Sequence, residues 1–277
     1  MHVVHDIDDG AENIDESLQM LKLVASQGVT DVFCTSHNGY SKKDGERYLA
    51  QLSYLKNVAE EAGIDIRLHK GSEALCEYEY MDDIIHGLDT GAFSTLGDTQ
   101  YVLTELHPDT MPSEALMIIK SLTSHGYKPI IAHMERNYNI THMMVRLMIQ
   151  SGALIQVNTY SFVDETTADI SNRARSLLHN KCVHFIGSDA HGINRRAPKI
   201  DTGVKYIMEN ADKDYALQVI CGNAHKILGV ACDRDISSFP VNLTFINFSL
   251  FISIIPSQRP RRIPQMLPSG IQAPFYC

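Results

Sequence analysis

The sequence has no Cys-x-x-Cys pair. Its six cysteines stand at 34, 76, 182, 221, 232 and 277, a scatter that excludes a zinc ribbon or a disulfide framework and reads as buried, reduced thiols. Basic residues are also short: 24 Lys and Arg face 33 Asp and Glu, for a net charge of -9. A general nucleic-acid binder needs a basic stripe to displace counterions, so that class is excluded. Long apolar runs are missing as well. The N-terminal Met1-His2-Val3-Val4-His5-Asp6 has no basic region followed by an apolar core, so it is not read as a signal peptide. The longest apolar stretch, Val241 to Ile255, has 15 residues and carries Asn242, Thr244, Asn247, Ser249 and Ser253, too short and too polar for a membrane span. The expectation is a cytoplasmic chain without stable membrane insertion.

What is present is an ordinary globular mixture, 44% hydrophobic and 21% charged over 277 residues, enough for one large α/β barrel or two smaller domains. The unusual count is 13 histidines, a residue suited to metals and proton transfer. Composition breaks near Val230: residues 231–277 hold six of the ten prolines and neither Lys nor Glu. Two domains of different character are expected, a folded 1–230 and a Pro-rich, poorly packed tail over 231–277.

Within 1–230, helical spacing runs from Ile14 to Ala25 and over 46–62, 113–125, 140–151, 168–180 and 200–210. Strand-like runs cover Val29 to Thr35, Ile64 to His69, Tyr101 to Thr104, Lys128 to Ala132, Ala153 to Val157 and Val183 to Gly187. This alternation predicts parallel βαβ units, six or seven of them, closed as a barrel in preference to an open sheet.

The residues just past each strand carry the chemistry. They are Ser36-His37, Gly71-Ser72-Glu73, Glu105, His133, Asn158 and Ser188-Asp189-Ala190-His191. A lone His or Glu at a strand end is more often a capping or solvated group than a ligand. Recurrence at five independent ends is hard to ascribe to coincidence, because parallel α/β barrels bring those ends to one mouth. Imidazoles with carboxylates suit zinc, manganese or iron better than a thiolate site would. His107, two residues past Glu105, is a weaker candidate. At the N-terminus, Asp6-Ile7-Asp8-Asp9-Gly10 follows His2. These carboxylates serve either the helix dipole or, through Asp9, the mouth; Asn13 and Asp15 compete for the capping role.

These elements together, His2 to Asp9-Gly10-Ala11, Thr35-Ser36-His37, Gly71-Ser72-Glu73, Glu105, Ala132-His133-Met134-Glu135-Arg136 and Ser188-Asp189-Ala190-His191, resemble the polymerase-and-histidinol-phosphatase (PHP) superfamily. Within it they resemble the manganese-dependent tyrosine-protein phosphatases of bacterial capsule and exopolysaccharide operons, the CpsB/YwqE type. The resemblance runs from residue 2 to about 230. It implies a distorted (β/α)7 TIM-like barrel and three divalent ions, Mn2+ first, with Fe, Zn or Mg as alternatives. By family pattern His2 and Asp189 hold the first ion, with Glu73 bridging to a second held by Glu105 and His133. Asp9, His37 and His191 hold the third. Arg136, with Arg195 or Arg196, binds the phosphate. Gly222-Asn223-Ala224-His225-Lys226 resembles the family's closing Asn-Pro-x-Lys segment, with Ala224 in place of proline. The family's first strand ends in His-x-His, of which His2 is the second histidine, so the barrel is expected to lack that strand and the first site one ligand.

Divalent ions lower the pKa of water from about 15.7 toward neutrality, which supplies a nucleophile without Ser or Cys. No cysteine here has an arginine six positions on, so the Cys-x5-Arg mechanism is excluded. The implied substrate is the phosphotyrosine tail of a bacterial tyrosine autokinase, and an oligomer is compatible with the sequence. Two other readings stay open: a hydrolase of histidinol phosphate or a similar small phosphoester, and a kinase-binding scaffold without turnover.

Overall fold

The structure, a computed structural model, describes residues 1–163 and 166–230. The expected tail over 231–277 lies outside the described residues. The first helix, α1 (Ile14–Ser26), starts where Asn13 accepts the Glu16 amide N–H, which settles the capping competition for Asn13. It buries Ser17, Met20, Leu21 and Val24, a stripe at helical spacing.

Among the described residues seven strands follow, β1 (Asp31–Cys34), β2 (Arg67–Lys70), β3 (Glu73–Cys76), β4 (Tyr101–Leu106), β5 (Lys128–Ile131), β6 (Leu154–Asn158) and β7 (Phe185–Gly187). Helices α2 (Lys42–Glu61), α3 (Met81–Thr90), α4 (Pro112–Ser124), α5 (His142–Gln150) and α6 (Ala168–His179) connect most of them, and α7 (Asp201–Asn210) follows β7. Every pairing is parallel, as the alternation predicts. The strands fall into a pair, β1-β2, and a five-stranded sheet in chain order from β3 to β7. Among the described residues no ladder joins β2 to β3 or β7 to β1, so the expected barrel is an α/β arrangement of two parallel sheets without a closed hydrogen-bond circuit.

Two expectations of placement are corrected here. Glu73 does not lie in a loop past the second strand but opens β3, which only Gly71 and Ser72 separate from β2. Glu105 is the fifth residue of β4, not a residue beyond it. The two-residue period of the strand explains its orientation. Val102 and Leu106 pack into the main apolar cluster with Ile118, Ile119 and Leu122 of α4. Tyr101 and Leu103, on the other face, pack with Leu96, Ile130 and Ile227. Glu105 shares that second face, which looks into the space between the sheets.

A cavity of about 270 Å³ lies there. Phe33, Leu103, Ile130, Phe185 and Ile227 line it, and His2, Glu73 and His133 bound it. The cluster of ionisable residues thus has an apolar floor, where electrostatic interactions are strong. Met1 and His2 run beside β1. The Met1 ammonium donates to the Thr35 hydroxyl at 2.7 Å, and the Thr35 N–H returns a bond to the Met1 carbonyl at 2.9 Å. The His2 N–H bonds the Ala190 carbonyl at 3.0 Å, which ties the N-terminus to the loop beyond β7.

Candidate metal centre

Glu73 is the centre of the cluster. Its two carboxylate oxygens face His2 Nε2 and His133 Nε2, each at 2.9 Å. Glu105 approaches His133 Nε2 at 3.4 Å and His37 Nε2 at 4.0 Å. Asp189 lies 3.6 Å from His2 Nε2, and Asp9 lies 3.4 Å from His191 Nε2. Three groups of potential ligand atoms result, each with all its members within 4.8 Å of one another: His2, Glu73 and Asp189; Glu73, Glu105 and His133; and His2, Asp9, His37 and His191. The eight residues of the expected ligand set are therefore brought to one place, from five strand ends and the N-terminal segment. Asp9 is the exposed member, with its side chain 67% accessible, whereas His2 is fully buried.

The imidazoles are held in one sense. The Nδ1 of His37 bonds the Glu73 carbonyl at 3.2 Å, and the Nδ1 of His191 bonds the Asp189 carbonyl at 2.9 Å. The Nδ1 of His2 meets the Asp8 carboxylate at 2.6 Å. Each of the three rings then presents Nε2 to the centre, the arrangement in which a neighbouring oxygen fixes the tautomer and orientation of a ligating imidazole. His133 is held through its backbone instead, where its N–H donates to Gln156 Oε1 at 2.6 Å. Both His133 (φ 31°) and Asp189 (φ 49°) occupy the left-handed region, uncommon for residues with a side chain and a form of strain that collects at functional sites.

Electrostatics follow from this crowding. Burial pushes Glu73 toward the neutral form, but its bonds to His133 and His2 hold it well below the ordinary range. Burial likewise disfavours a charged His133, yet Glu105 and Glu73 raise it to about 10. His2 is raised against its burial by Asp8 and Glu73. His191 goes the other way, lowered to about 4 by burial and then by His2 and Arg196. The buried carboxylates thus draw positive charge into the cluster.

Two of the three expected phosphate-binding arginines reach it. Arg136 donates to Asp189 Oδ2 at 2.6 Å, and Arg196 donates to the same oxygen at 2.5 Å. Arg195 is exposed, so the geometry favours Arg196 of the pair. His107 is half exposed beside Asp109 and stands outside the three groups.

Sequence reasoning missed four residues. Asp8 takes the His37 N–H at 2.7 Å and the Gly10 N–H at 3.1 Å besides its bond to His2. The carboxylate run at 6–9 was visible, but which member turns inward is set by the turn at Gly10. Gln156 supports His133, and Glu135 and Tyr160 belong to a network around Arg136 that no local pattern announces.

Fold and site together define a class: a parallel α/β protein that gathers imidazoles and carboxylates into one cluster flanked by arginines. The family described as capsular polysaccharide synthesis, CpsB/CapC, matches residues 1–229, and this chain belongs to it. CapC of Staphylococcus aureus is 31% identical over 199 residues, which make up 70% of this chain and 76% of that one. The tyrosine-protein phosphatase CpsB of Streptococcus agalactiae serotype III is 27% identical over 236 residues, 82% of this chain and 96% of that one. Among solved structures, one from a study of YwqE from Bacillus subtilis and CpsB from Streptococcus pneumoniae, described there as metal-dependent tyrosine phosphatases, superposes with a TM-score of 0.74. It has 22% identity and covers 82% of this chain and 92% of that one. The lactonase Lmo2620 from Listeria monocytogenes shares the fold at a TM-score of 0.54 and 10% identity, over 80% of this chain and 88% of that one. Among the described residues no helix is long and apolar enough to cross a membrane.

Proposed function

We propose that this chain is a cytoplasmic, metal-dependent protein-tyrosine phosphatase of capsule or exopolysaccharide synthesis, acting on the phosphotyrosine tail of a bacterial tyrosine autokinase. The observation that carries the reading is the placement of three groups of N and O donors within 4.8 Å beside Arg136 and Arg196, in a chain of the CpsB/CapC family. The donor set fits divalent ions. It is made of imidazole nitrogens and carboxylate oxygens without thiolate, which suits Mn2+, Fe2+ or Zn2+, and its carboxylates are already compensated by positive charge drawn onto His133.

His2, Glu73 and Asp189 would hold one ion, Glu73, Glu105 and His133 a second, and Asp9, His37 and His191 a third. Bound there, the ions supply Lewis acidity and a water made acidic enough to act as nucleophile near neutral pH. The rest of the work belongs to the chain. Arg136 and Arg196, now on Asp189, offer planar N–H forks to phosphoryl oxygens and neutralise charge that develops during transfer. The apolar lining beside Glu73 strengthens each of these interactions.

The deciding assay is hydrolysis of a phosphotyrosine peptide with and without Mn2+, alongside Glu105→Ala and His133→Ala. We expect turnover to need the metal and each variant to lose about 10²-fold or more in kcat/KM, about 2.7 kcal/mol. Rates indifferent to both metal and mutation refute the reading. A higher kcat/KM on histidinol phosphate than on the peptide would favour the small-phosphoester alternative.

Binding of the metal should also expel protons. His133 titrates near 10, so at pH 7 it carries a proton that ligation displaces. Mn2+ affinity is expected to rise with pH, and calorimetry in buffers of different ionisation enthalpy should register net proton release. Without metal the linkage runs oppositely. The folded value of His133 lies above the unfolded value of about 6.5, so its contribution to stability is full below that pH and is lost as pH rises through about 10. The thermal midpoint of the chelated protein should therefore fall between those limits, and a midpoint that climbs across that interval would contradict the assignment.

A further inference from the structure

Beside Arg136, one of the two arginines that face Asp189, stands a phenol for which the reading above has no use. Tyr160 lies on the short turn Thr159–Phe162 that follows β6. Its hydroxyl oxygen accepts hydrogen bonds from the Arg136 guanidinium and from Asn158 Nδ2, the latter at 3.1 Å. Arginine and an amide nitrogen can only donate. Both contacts therefore end on the phenol oxygen, and the hydroxyl's own proton is committed to neither. Asn158 Nδ2 also reaches Asp189 Oδ2 at 3.3 Å, and Arg136 reaches the same oxygen at 2.6 Å. The phenol is thus one donor group away from a carboxylate of the centre.

The turn that carries Tyr160 is fixed from both sides. Glu135, next to Arg136 in the chain and fully buried, accepts the Asn158 N–H at 3.1 Å and the Ser161 hydroxyl at 2.7 Å. Thr159 donates its hydroxyl to the Lys199 carbonyl at 2.5 Å, and Phe162 is buried in the main apolar cluster. Neighbouring residues of one short turn therefore divide the work: Glu135 anchors the Tyr160 turn, and Arg136 polarises the Tyr160 hydroxyl. Such support holds a functional group in place before substrate arrives.

We infer that Tyr160 is the general acid for the leaving group. This rests on the phosphatase reading above. As water oxygen bonds to phosphorus and the bond from phosphorus to the aryl oxygen breaks, the Tyr160 proton passes to that aryl oxygen. The products are a neutral phenol and inorganic phosphate. The phenolate left on Tyr160 is held by the two donors already aimed at its oxygen and is reprotonated by the proton the attacking water releases. The match is one of kind, because donor and leaving group are both phenols.

The test is the dependence on leaving group of Tyr160→Phe, which keeps the ring and removes only the hydroxyl. Wild type and variant, both loaded with Mn2+ and checked for equal metal content and thermal midpoint, are compared on phenyl phosphate, a phosphotyrosine peptide and 4-nitrophenyl phosphate. The last releases a much more acidic phenol that leaves without a proton. We expect kcat/KM for the first two to fall about 100-fold, a usual general-acid contribution, and that for 4-nitrophenyl phosphate to fall less than about fivefold. Tyr160→His, which restores a proton donor, should recover part of the loss on phenyl phosphate. Equal losses on all three substrates, or none, overturn the acid role while leaving the phosphatase reading intact. A wild type inert toward all three overturns both.

Discussion

Glu73→Ala is expected to be the most damaging single substitution in the centre, with kcat/KM on a phosphotyrosine peptide reduced at least about 10³-fold, equivalent to about 4 kcal/mol. Apart from His2, every other member of the proposed ligand set belongs to one group. Glu73 joins two groups, with one oxygen on His2 and the other on His133. Its removal should therefore lower bound Mn2+ by more than one ion per chain, which elemental analysis after desalting would show. The substitution also acts on the chelated protein. His133 is raised by Glu105 and then by Glu73, and without the Glu73 carboxylate its buried positive charge is less fully compensated. Breaking a buried pair from one side costs about 3–5 kcal/mol, so the chelated variant should unfold at a clearly lower denaturant concentration. Glu73→Gln separates the two effects, since it keeps shape and a hydrogen-bonding oxygen while losing the charge. A Glu73→Ala protein with full metal content and a rate within about tenfold of wild type would remove Glu73 from the centre of the mechanism.

The same carboxylate shows what the sequence displays and what it hides. His37, His133, Asp189 and His191 were legible as site residues because each follows an apolar run by one to four positions, and parallel strands send such positions to one mouth. Glu73 and Glu105 were legible as candidates but misplaced by a few residues. β3 is only four residues long, Glu-Ala-Leu-Cys, and follows β2 after two residues, so no turn or helix announces it. The break between β2 and β3 is a matter of which edges pair, decided by tertiary packing and not by local propensity. The helix α3 is likewise hidden, because its acidic opening at Asp82 and Asp83 dilutes a short apolar stripe of Met81, Ile84, Ile85 and Leu88.

The polar support was less legible than the ligands. Asp8 and Asp9 are adjacent and chemically equal, yet Asp8 is turned inward onto His2 and His37 while Asp9 stays exposed at the mouth. Nothing in composition separates them. The network of Glu135, Asn158, Tyr160 and Arg136 joins residues 23 and 24 positions apart, a separation at which sequence spacing carries no information about contact. The choice between Arg195 and Arg196 depends on backbone conformation, since Arg196 takes a left-handed φ of 53° that turns its side chain back to Asp189.

Gly10 is what decides the choice between Asp8 and Asp9, and it gives the other large expected effect. A Cβ on Gly10 would lie 2.3 Å from the His2 carbonyl oxygen and 2.6 Å from the His2 Cβ, with Asp8 Oδ1 at 2.9 Å. The first of these is backbone, and it cannot retreat easily. The His2 carbonyl accepts the Ala11 N–H at 3.1 Å, and the His2 N–H is tied to Ala190 at 3.0 Å. Gly10→Ala must therefore displace either the loop or His2 itself. Overpacking of this kind costs about 1–3 kcal/mol, occasionally more, so a fall of that size in unfolding free energy is expected by denaturant titration. The functional loss should exceed what stability predicts. His2 belongs to two of the three donor groups, and Asp8, which holds its Nδ1, takes the Gly10 N–H. A shift of a few tenths of an ångström there misaligns Nε2 for both groups at once. At a temperature where the variant is fully folded, its Mn2+ affinity should still be reduced about 10- to 100-fold, the usual effect of disturbing the support of a metal-ligating imidazole. Wild-type affinity in a folded Gly10→Ala protein would mean that the N-terminal segment yields freely, and that His2 is held by the centre, not by the chain around Gly10.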